Sequence, residues 1–280
     1  MGKLSTVGKW TFGLTLGAIG VLAASKISDD SYVNEIWQEL EDSPGGTGVF
    51  SEEMVADLPE PARRYFLHAI KPGTPLATKM HWRWSGRMKP SREAPWMDLT
   101  SEQVSVQGRG FAWKARAGRG PLTLTAADHY LDGEGRMKIF LFGLVPVVNA
   151  TGPDLSKSSL GRMLAECVFM PSALLPGPHV RIEAVDEARF KVVLMANGGE
   201  IPYTMAVDDE GRLTSDSVLQ RWGNLTPDGS YQFIPYGGVM EEERTFGGYT
   251  IPTRLRVGWW YGTERYFEVI ELQVDSVEYS

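Results

Sequence analysis

The chain has 280 residues, of which 42% are hydrophobic and 11% aromatic, so it can bury a large core. Its formal net charge is −7, and residues 1–27 contain three lysines and no acid, which leaves 25 basic and 35 acidic residues in the remainder. An acidic domain without a basic block is a poor candidate for nucleic-acid binding. Cys167 is the only cysteine, which excludes an intrachain disulfide and any zinc site built on cysteine.

Residues 10–24 form the longest uninterrupted apolar stretch, between Lys9 and Lys26. This stretch covers about 22 Å as a helix, whereas a bilayer core needs about 30 Å. Counting residues 7–27 gives roughly 31 Å if both lysines snorkel to the interfaces. The alternative is a cleaved secretory signal, because residues 1–9 are basic and residues 21–23 resemble a cleavage site. We predict an uncleaved transmembrane anchor over residues 1–27.

The charges around this stretch predict its orientation. Lys3 and Lys9 precede it, and Asp29 and Asp30 follow it. The N-terminus is therefore expected in the cytoplasm, with the main domain on the exported, periplasmic side.

Three glycines of the stretch, Gly13, Gly17 and Gly20, fall on nearly one helical face. Such a face allows a second transmembrane helix to approach closely. Glycine is also common in signal peptides and membrane helices generally, so both explanations stay open.

Residues 28–75 are expected to form a helical linker region. Residues 28–40 predict a short helix with one apolar face, and residues 43–48 predict a break. Residues 50–70 are again helical in pattern, with a second start at Pro59 and Pro61, because proline is accepted in a first turn.

From Met80 onward the pattern changes to a period of two, which places Trp82 and Trp84 on one side of a strand. Residues 137–148 are nearly all apolar and predict either one strand buried on both sides or the lining of a cavity. Residues 154–170 predict a helix, and strands resume from residue 179. We count around a dozen strands.

So many consecutive antiparallel strands usually close, or partly close, to hide their edges. We therefore predict a mainly β (α+β) fold over residues 76–280. Its core is a large curved antiparallel sheet or half-open barrel with a covering helix. It is preceded by the membrane helix and short helices.

Catalytic patterns are absent from the sequence. His68, His81, His129 and His179 lie far apart, and no nucleophile elbow, phosphate loop or dinucleotide fingerprint occurs. We expect no metal and no cofactor.

An enzyme would need a site assembled from scattered residues, and we rank this function last. Its candidates are Asp128, His129, Glu241, Glu243 and Arg244. Glu241 and Glu243 share one face of a strand, where an outward, solvated position is the simpler interpretation.

Residues 58–70 read LPEPARRYFLHAI and resemble the opening of an uncharacterised bacterial protein family. Further matching segments are 110–116, 143–147, 164–166, 171–176, 250–253 and 257–260. The resemblance covers most of residues 50–270 and implies no activity.

A second resemblance lies near the C-terminus. The hairpin at residues 248–253, followed by a long last strand, resembles the periplasmic lipoprotein-carrier fold, a curved half-barrel with a helix plugging its apolar hollow. This resemblance implies an apolar ligand and transfers no binding residue.

The sequence thus favours a non-catalytic, membrane-anchored β-domain that binds a lipid or another apolar ligand. The predicted lining is Phe140, Phe142, Leu144, Val147, Leu160, Met163, Leu164, Phe169, Trp82 and Trp84. These residues could instead fill a solid core. The alternative function is a structural accessory subunit of a membrane complex, with other transmembrane subunits as partners.

Overall fold

The computed structural model describes residues 4–196 and 199–280, with side chains for residues 22–195 and 200–280. The described residues form three α-helices and thirteen β-strands. The helices are α1 Leu4–Glu41, α2 Glu60–Ala69 and α3 Pro153–Glu166. The strands are β1 Lys79–Met88, β2 Met97–Val106, β3 Gly110–Arg119, β4 Leu122–Leu131, β5 Glu134–Leu141, β6 Val145–Thr151, β7 Val180–Ala184, β8 Arg189–Ala196, β9 Gly199–Ala206, β10 Val218–Gly223, β11 Gln232–Phe246, β12 Tyr249–Trp259 and β13 Phe267–Tyr279.

The strands form one antiparallel sheet in the order β6-β5-β4-β3-β2-β1-β13-β12-β11-β10-β9-β8-β7. Strands β1 to β6 pair consecutively, as do β7 to β13, and the two halves meet only where β1 pairs with β13. The sheet is open, with β6 and β7 as its edges. The predicted mainly β fold with a large antiparallel sheet is therefore confirmed.

The strand register assigns side chains to two faces. Trp82 of β1 lies opposite Gln103 of β2, which lies opposite Trp113 of β3. We call this side the inner face, and the main hydrophobic core lies on it. His81 and Val104, one residue along, point to the outer face.

Helix α3 connects the two edge strands and lies across the inner face. It contacts β4, β5 and β6 on one side and β9 and β10 on the other. Because one helix contacts both halves, the sheet must curve around it. The predicted helix over residues 154–170 ends earlier than expected, at Glu166, and continues as two short 3₁₀ turns, Cys167–Phe169 and Pro171–Leu174.

Helix α1 covers the outer face of the sheet at strands β2, β3 and β4. Ile36 and Leu40 pack against Val104, Val106 and Ala112. The sequence predicted a separate helix starting near residue 28, and this is wrong, because α1 runs unbroken from Leu4 to Glu41. No proline or glycine lies between residues 21 and 41, so nothing there ends a helix.

The predicted membrane helix falls mostly on residues whose side chains the structure does not describe. These include residues 10–21 and therefore Gly13, Gly17 and Gly20. Among the residues that are described, none belongs to a helix of the length and apolarity that a bilayer requires. The structure therefore gives no support to the membrane helix, which stays a prediction.

The apolar run at residues 137–148 is not one strand. It folds into the hairpin of β5 and β6, whose turn places Phe142 and Gly143 at φ 52° and 67°. A bulky residue rarely adopts a positive φ, so Phe142 gave no indication of a turn in the sequence. Of these two residues, only Gly143 is of a type that favours a turn. The hairpin also exposes Val145 and Val147, which are 41% and 52% accessible.

The helical pattern at residues 50–70 splits at its prolines. A 3₁₀ turn, Glu52–Val55, precedes α2, which has Pro61 in its first turn. Tyr65 and Phe66 of α2 are buried in the main core. Residues before the sheet therefore contribute to its packing.

The β1–β13 pairing leaves no room for a side chain at Gly86. A Cβ atom there would lie 1.9 Å from the carbonyl oxygen of Glu271 on β13. We expect Gly86→Ala to lower the free energy of unfolding by more than about 2 kcal/mol, because the clash is with backbone. Urea unfolding measures this. Gly177→Ala, whose Cβ would meet nothing within 4 Å, is the control and should change stability little. Equal effects would contradict the assigned register.

Candidate functional site

A hollow of about 490 Å³ lies between α3 and the inner face. Every strand except β7 and β8 contributes to its lining, which is mostly apolar. The sheet therefore bends far enough for both halves to enclose one space. Representative lining side chains are Met88, Met97, Leu99, Leu124, Ile139, Leu219, Leu255, Val257, Ile270 and Leu272.

One wall of the hollow is a stack of indole rings. The ring centroids of Trp82 and Trp84 lie 6.1 Å apart, and those of Trp84 and Trp113 lie 6.2 Å apart. All three rings are buried, yet none of their indole nitrogens has a hydrogen-bond partner in the described part of the chain. An unmade buried hydrogen bond costs free energy, so each of these indole N–H groups is an unsatisfied donor in a wall of the hollow.

A charged cluster lies beside the tryptophan stack. Arg162 of α3 donates from Nη1 to Asp128 Oδ2 at 2.7 Å, from Nε to Glu166 Oε1 at 2.7 Å and from Nη2 to Gln103 Oε1 at 2.8 Å. Gln103 also donates to Glu166 Oε2 at 2.6 Å. The guanidinium carbon of Arg162 lies 4.8 Å from the Trp113 ring centroid. All three nitrogens of Arg162 thus donate, and Nη1 and Nη2 hold α3 on the sheet through Asp128 of β4 and Gln103 of β2.

Burial changes the acidity of this cluster. Asp128 is 2% exposed, and its burial raises its pKa to about 6 although Arg162 opposes the shift. The second carboxylate oxygen of Asp128, Oδ1, has no partner among the described residues. Asp128 therefore sits at the hollow with one oxygen available to accept or carry a proton.

A second arginine, Arg221 of β10, also lines the hollow. Its guanidinium carbon lies 4.5 Å from the Tyr236 ring centroid and 4.9 Å from that of Trp259. Burial lowers its pKa. The site as a whole is an apolar hollow with aromatic walls and a small polar centre.

The predicted lining residues are distributed over several environments. Trp82, Trp84, Val147 and Phe169 line the hollow. Leu160 and Met163 line a separate cleft of about 950 Å³ beside α3. The remaining predicted residues are Leu164, buried in the core, Leu144, half-buried near the hairpin turn, Phe140 and Phe142.

Phe140 and Phe142 do not reach the hollow for two reasons. Phe140 is buried on the outer face, where the Lys26 ammonium of α1 lies 5.0 Å from its ring centroid. Phe142 is 63% exposed at the tip of the β5–β6 hairpin. The single apolar run in the sequence gave no sign of this division.

The sequence did not identify the polar centre. Gln103, Glu166, Arg162 and Arg221 were not predicted as site residues. Two signals could have found the first three of these residues. Arg162 and Glu166 are four residues apart on the helix, and Gln103 shares the alternating face of β2 that packs inward.

The scattered candidates for catalysis do not converge. Asp128 points into the hollow, whereas its neighbour His129 lies on the outer face against Tyr32 of α1, with ring centroids 5.3 Å apart. Glu243 contacts His68 at 2.9 Å, and Glu241 contacts Arg256 at 2.8 Å, away from the hollow. Five strands separate β4 from β11 in the sheet order.

Burial shifts the pKa values of His129 and Cys167. It lowers the pKa of His129 to about 4, so this histidine is neutral at pH 7. It raises the pKa of Cys167 to about 12, and the thiol donates to the Met163 carbonyl oxygen at 3.3 Å. Within residues 22–195 and 200–280, no group of three or more His, Cys, Asp or Glu is placed to hold a metal ion.

Removing Arg162 tests whether the cluster holds α3 in place. We expect Arg162→Met to lower the free energy of unfolding by about 3–5 kcal/mol, because it leaves Asp128 and Glu166 buried without their cation. Urea unfolding measures this. Arg83→Met is the matched control, since Arg83 is exposed and lies 3.9 Å from Glu102, and it should cost less than about 1 kcal/mol. Similar small losses in both variants would show that the cluster contributes little.

No match was found among curated proteins. Among solved structures, a putative outer membrane lipoprotein-sorting protein domain from Vibrio parahaemolyticus aligns with a TM-score of 0.37 and 10% identity, over 82% of this chain and 92% of its own. A LolA superfamily protein from Nitrosomonas europaea aligns with a TM-score of 0.39 and 8% identity, over 79% and 92%. A DUF1329 family protein from Desulfovibrio piger aligns with a TM-score of 0.37 and 8% identity, over 79% and 91%.

Two of these solved structures are named for lipoprotein sorting or for the LolA superfamily, and at these TM-scores and identities they transfer no residue role to this chain. The resemblance to an uncharacterised family recurs because a family profile matches residues 48–271, which include the segment at residues 58–70. The chain therefore belongs to the family of unknown function DUF6544.

Proposed function

We propose that this protein binds an apolar ligand, such as the acyl chain of a lipid, in the hollow between α3 and the inner face. The observation that carries this proposal is the unfilled space of about 490 Å³ with mostly apolar walls. Natural cores are packed at the density of organic crystals and leave few voids larger than a water molecule. An apolar space of this size is typical of a ligand site.

The polar centre supports binding over mere loose packing. Three indole N–H groups, those of Trp82, Trp84 and Trp113, and Oδ1 of Asp128 have no partner among the described residues. Buried polar groups are normally paired, so each of these calls for a partner. A ligand with an apolar body and a polar end satisfies both parts of the site.

Filling the hollow should prevent binding. We expect Leu124→Trp to reduce the binding of the neutral fluorescent probe N-phenyl-1-naphthylamine several-fold, because Leu124 is half-buried in the lining. Leu122→Trp is the matched control two residues earlier on β4. Leu122 is 40% exposed and does not line the hollow, so this variant should bind as the wild type does. Probe titration measures both affinities.

Mass spectrometry of a solvent extract of the purified protein complements the titration. The proposal expects an apolar compound in the wild type and less of it in Leu124→Trp. An empty wild-type protein that also fails to bind the probe would refute the proposal.

We further propose that α1 attaches the domain to a membrane on the exported side. The charges flanking residues 10–24 support this orientation. The direction of α1 supports the attachment. Glu39 of the helix contacts Arg109 of the β2–β3 turn, and Lys26, nearer the N-terminus of the helix, contacts Phe140. The N-terminal part of α1 is thereby directed towards the hairpin end where Leu122, Phe142 and Val145 are exposed.

Membrane attachment predicts a specific sensitivity of residues 10–24 to charge. We expect Ile19→Asp to release the protein from the membrane fraction after carbonate washing, because a carboxylate at the centre of a span costs about 2.5–3.5 kcal/mol. Val49→Asp, at a position 56% exposed, is the control and should leave the protein in the membrane fraction. Wild-type protein in the wash supernatant would contradict the attachment.

The accessory-subunit alternative rests on Gly13, Gly17 and Gly20, which lie outside the residues with described side chains. A helix–helix contact through these glycines is compatible with ligand binding, since it uses a different part of the chain. Recovery of stoichiometric partners in mild detergent would favour it.

A further inference from the structure

Arg221 is held at the hollow by its surroundings on both sides. Its stem packs against Gly161 of α3, where a Cβ atom would lie 3.6 Å from Arg221 Cγ. Its guanidinium faces the rings of Tyr236 and Trp259. The cation therefore has a defined position between helix and sheet.

Among the described residues, this cation has no carboxylate within 4.0 Å. The neighbouring Arg162, by contrast, pairs with both Asp128 and Glu166. The Nε atom of Arg221 is buried and has no hydrogen-bond partner in the described part of the chain, whereas Arg162 donates from all three of its nitrogens.

An unpaired guanidinium in such a place is costly. The group keeps its charge over the physiological pH range, so it cannot escape the cost by losing a proton. Contact with two aromatic faces offsets part of this cost but leaves Nε without an acceptor. A charge-assisted contact with a carboxylate or phosphate would satisfy the free Nε donor.

We propose that the ligand of the hollow is an amphiphile with an anionic head, and that Arg221 binds this head while the apolar walls hold the chain. This proposal rests on the proposed function, because it assumes that the hollow takes a ligand. The shared chemistry is a carboxylate or phosphate on an alkyl chain. The three partnerless indole N–H groups add neutral donors to the same lining.

The charge count of the site is compatible with this ligand. Arg162 and Arg221 balance Asp128 and Glu166 when all four are ionised, so an anionic head gives the site a net negative charge. Asp128 can offset that charge by taking up a proton on its unpartnered Oδ1. The groups that face Arg221 are thus Asp128, Glu166, Arg162 and Tyr236.

The test compares amphiphiles that share one chain and differ in the head. Dodecanoate, dodecyl phosphate, dodecan-1-ol and dodecyltrimethylammonium compete with N-phenyl-1-naphthylamine on the full-length protein. We expect at least one anion to bind at least tenfold more tightly than the alcohol, and the cation to bind most weakly. The two anions distinguish a fatty-acid-like head from a phospholipid-like head. Acetate, which has no chain, should not compete.

Substitutions of Arg221 test whether this residue causes the preference for an anionic head. Arg221→Gln should reduce the preference for the anion over the alcohol to less than about threefold, because the variant loses affinity for the anion. Arg221→Lys should keep part of the preference, because it keeps the charge and loses the planar fork. Arg83→Gln, which removes an exposed cation outside the hollow, is the control and should keep the full preference.

The outcomes separate this inference from the function on which it rests. Equal wild-type affinities for anion and alcohol would overturn it and leave apolar ligand binding intact. A preference that survives in Arg221→Gln would overturn the role of Arg221. Failure of every amphiphile and of the neutral probe to bind would overturn both proposals. The wild-type comparison needs no variant, so it holds even where a substitution prevents folding.

Discussion

The two edges of the sheet are joined by one segment of chain, and this constraint organises the molecule. Strands β6 and β7 lie at opposite ends of the strand order, yet only residues 152–179 connect them. The connection must cross one face of the sheet, and α3 with its two 3₁₀ turns makes this crossing on the inner face. A sheet that curves around a helix, with the helix contacting both halves, is the consequence.

A crossing helix does not have to fill the space beneath it. Helix α3 is fixed by polar contacts as well as by packing, since Arg162 reaches across to Gln103 on β2 and Asp128 on β4. Buried ion pairs fix geometry more than they add stability, because desolvation offsets much of their attraction. The helix is thereby held at a distance from the sheet that leaves the hollow between them. The same contacts that position α3 provide the polar centre of the hollow.

The fold was largely readable from the sequence. Alternation of apolar residues predicted the strands, and the β4–β5 turn forms at the Asp132-Gly133 pair, where both residues have positive φ. The prediction failed where side chains gave no local signal. The β5–β6 turn is made by the bulky residue Phe142, and α1 continues through residue 28, where the sequence predicted that a new helix begins. Lys138 and Arg136 of β5 pair with Asp29 from outside the helix.

The site was less readable than the fold, because a lining depends on which face each strand turns inward. Periodicity identified Trp82 and Trp84 as sharing a face, and both line the hollow. Periodicity could not place Phe140 or Phe142, which are two residues apart. Phe142 lies in solvent, whereas Phe140 packs under Lys26. The inward position of Arg221 could not be predicted from the sequence for a different reason. A single arginine in a strand is usually exposed, and only the pairing of β10 with β11, together with α3 above it, shows that this one faces inward.

The central claim is that an apolar chain occupies the hollow between α3 and the inner face. Crystals of the protein grown with 12-bromododecanoic acid test it directly. Bromine gives an anomalous signal, which locates the end of the alkyl chain independently of how the ligand is built into the density. The account predicts a bromine peak among the apolar side chains that line the hollow, with the carboxylate at Arg221. A bromine peak confined to the protein surface, or a hollow filled by its own side chains, would contradict it.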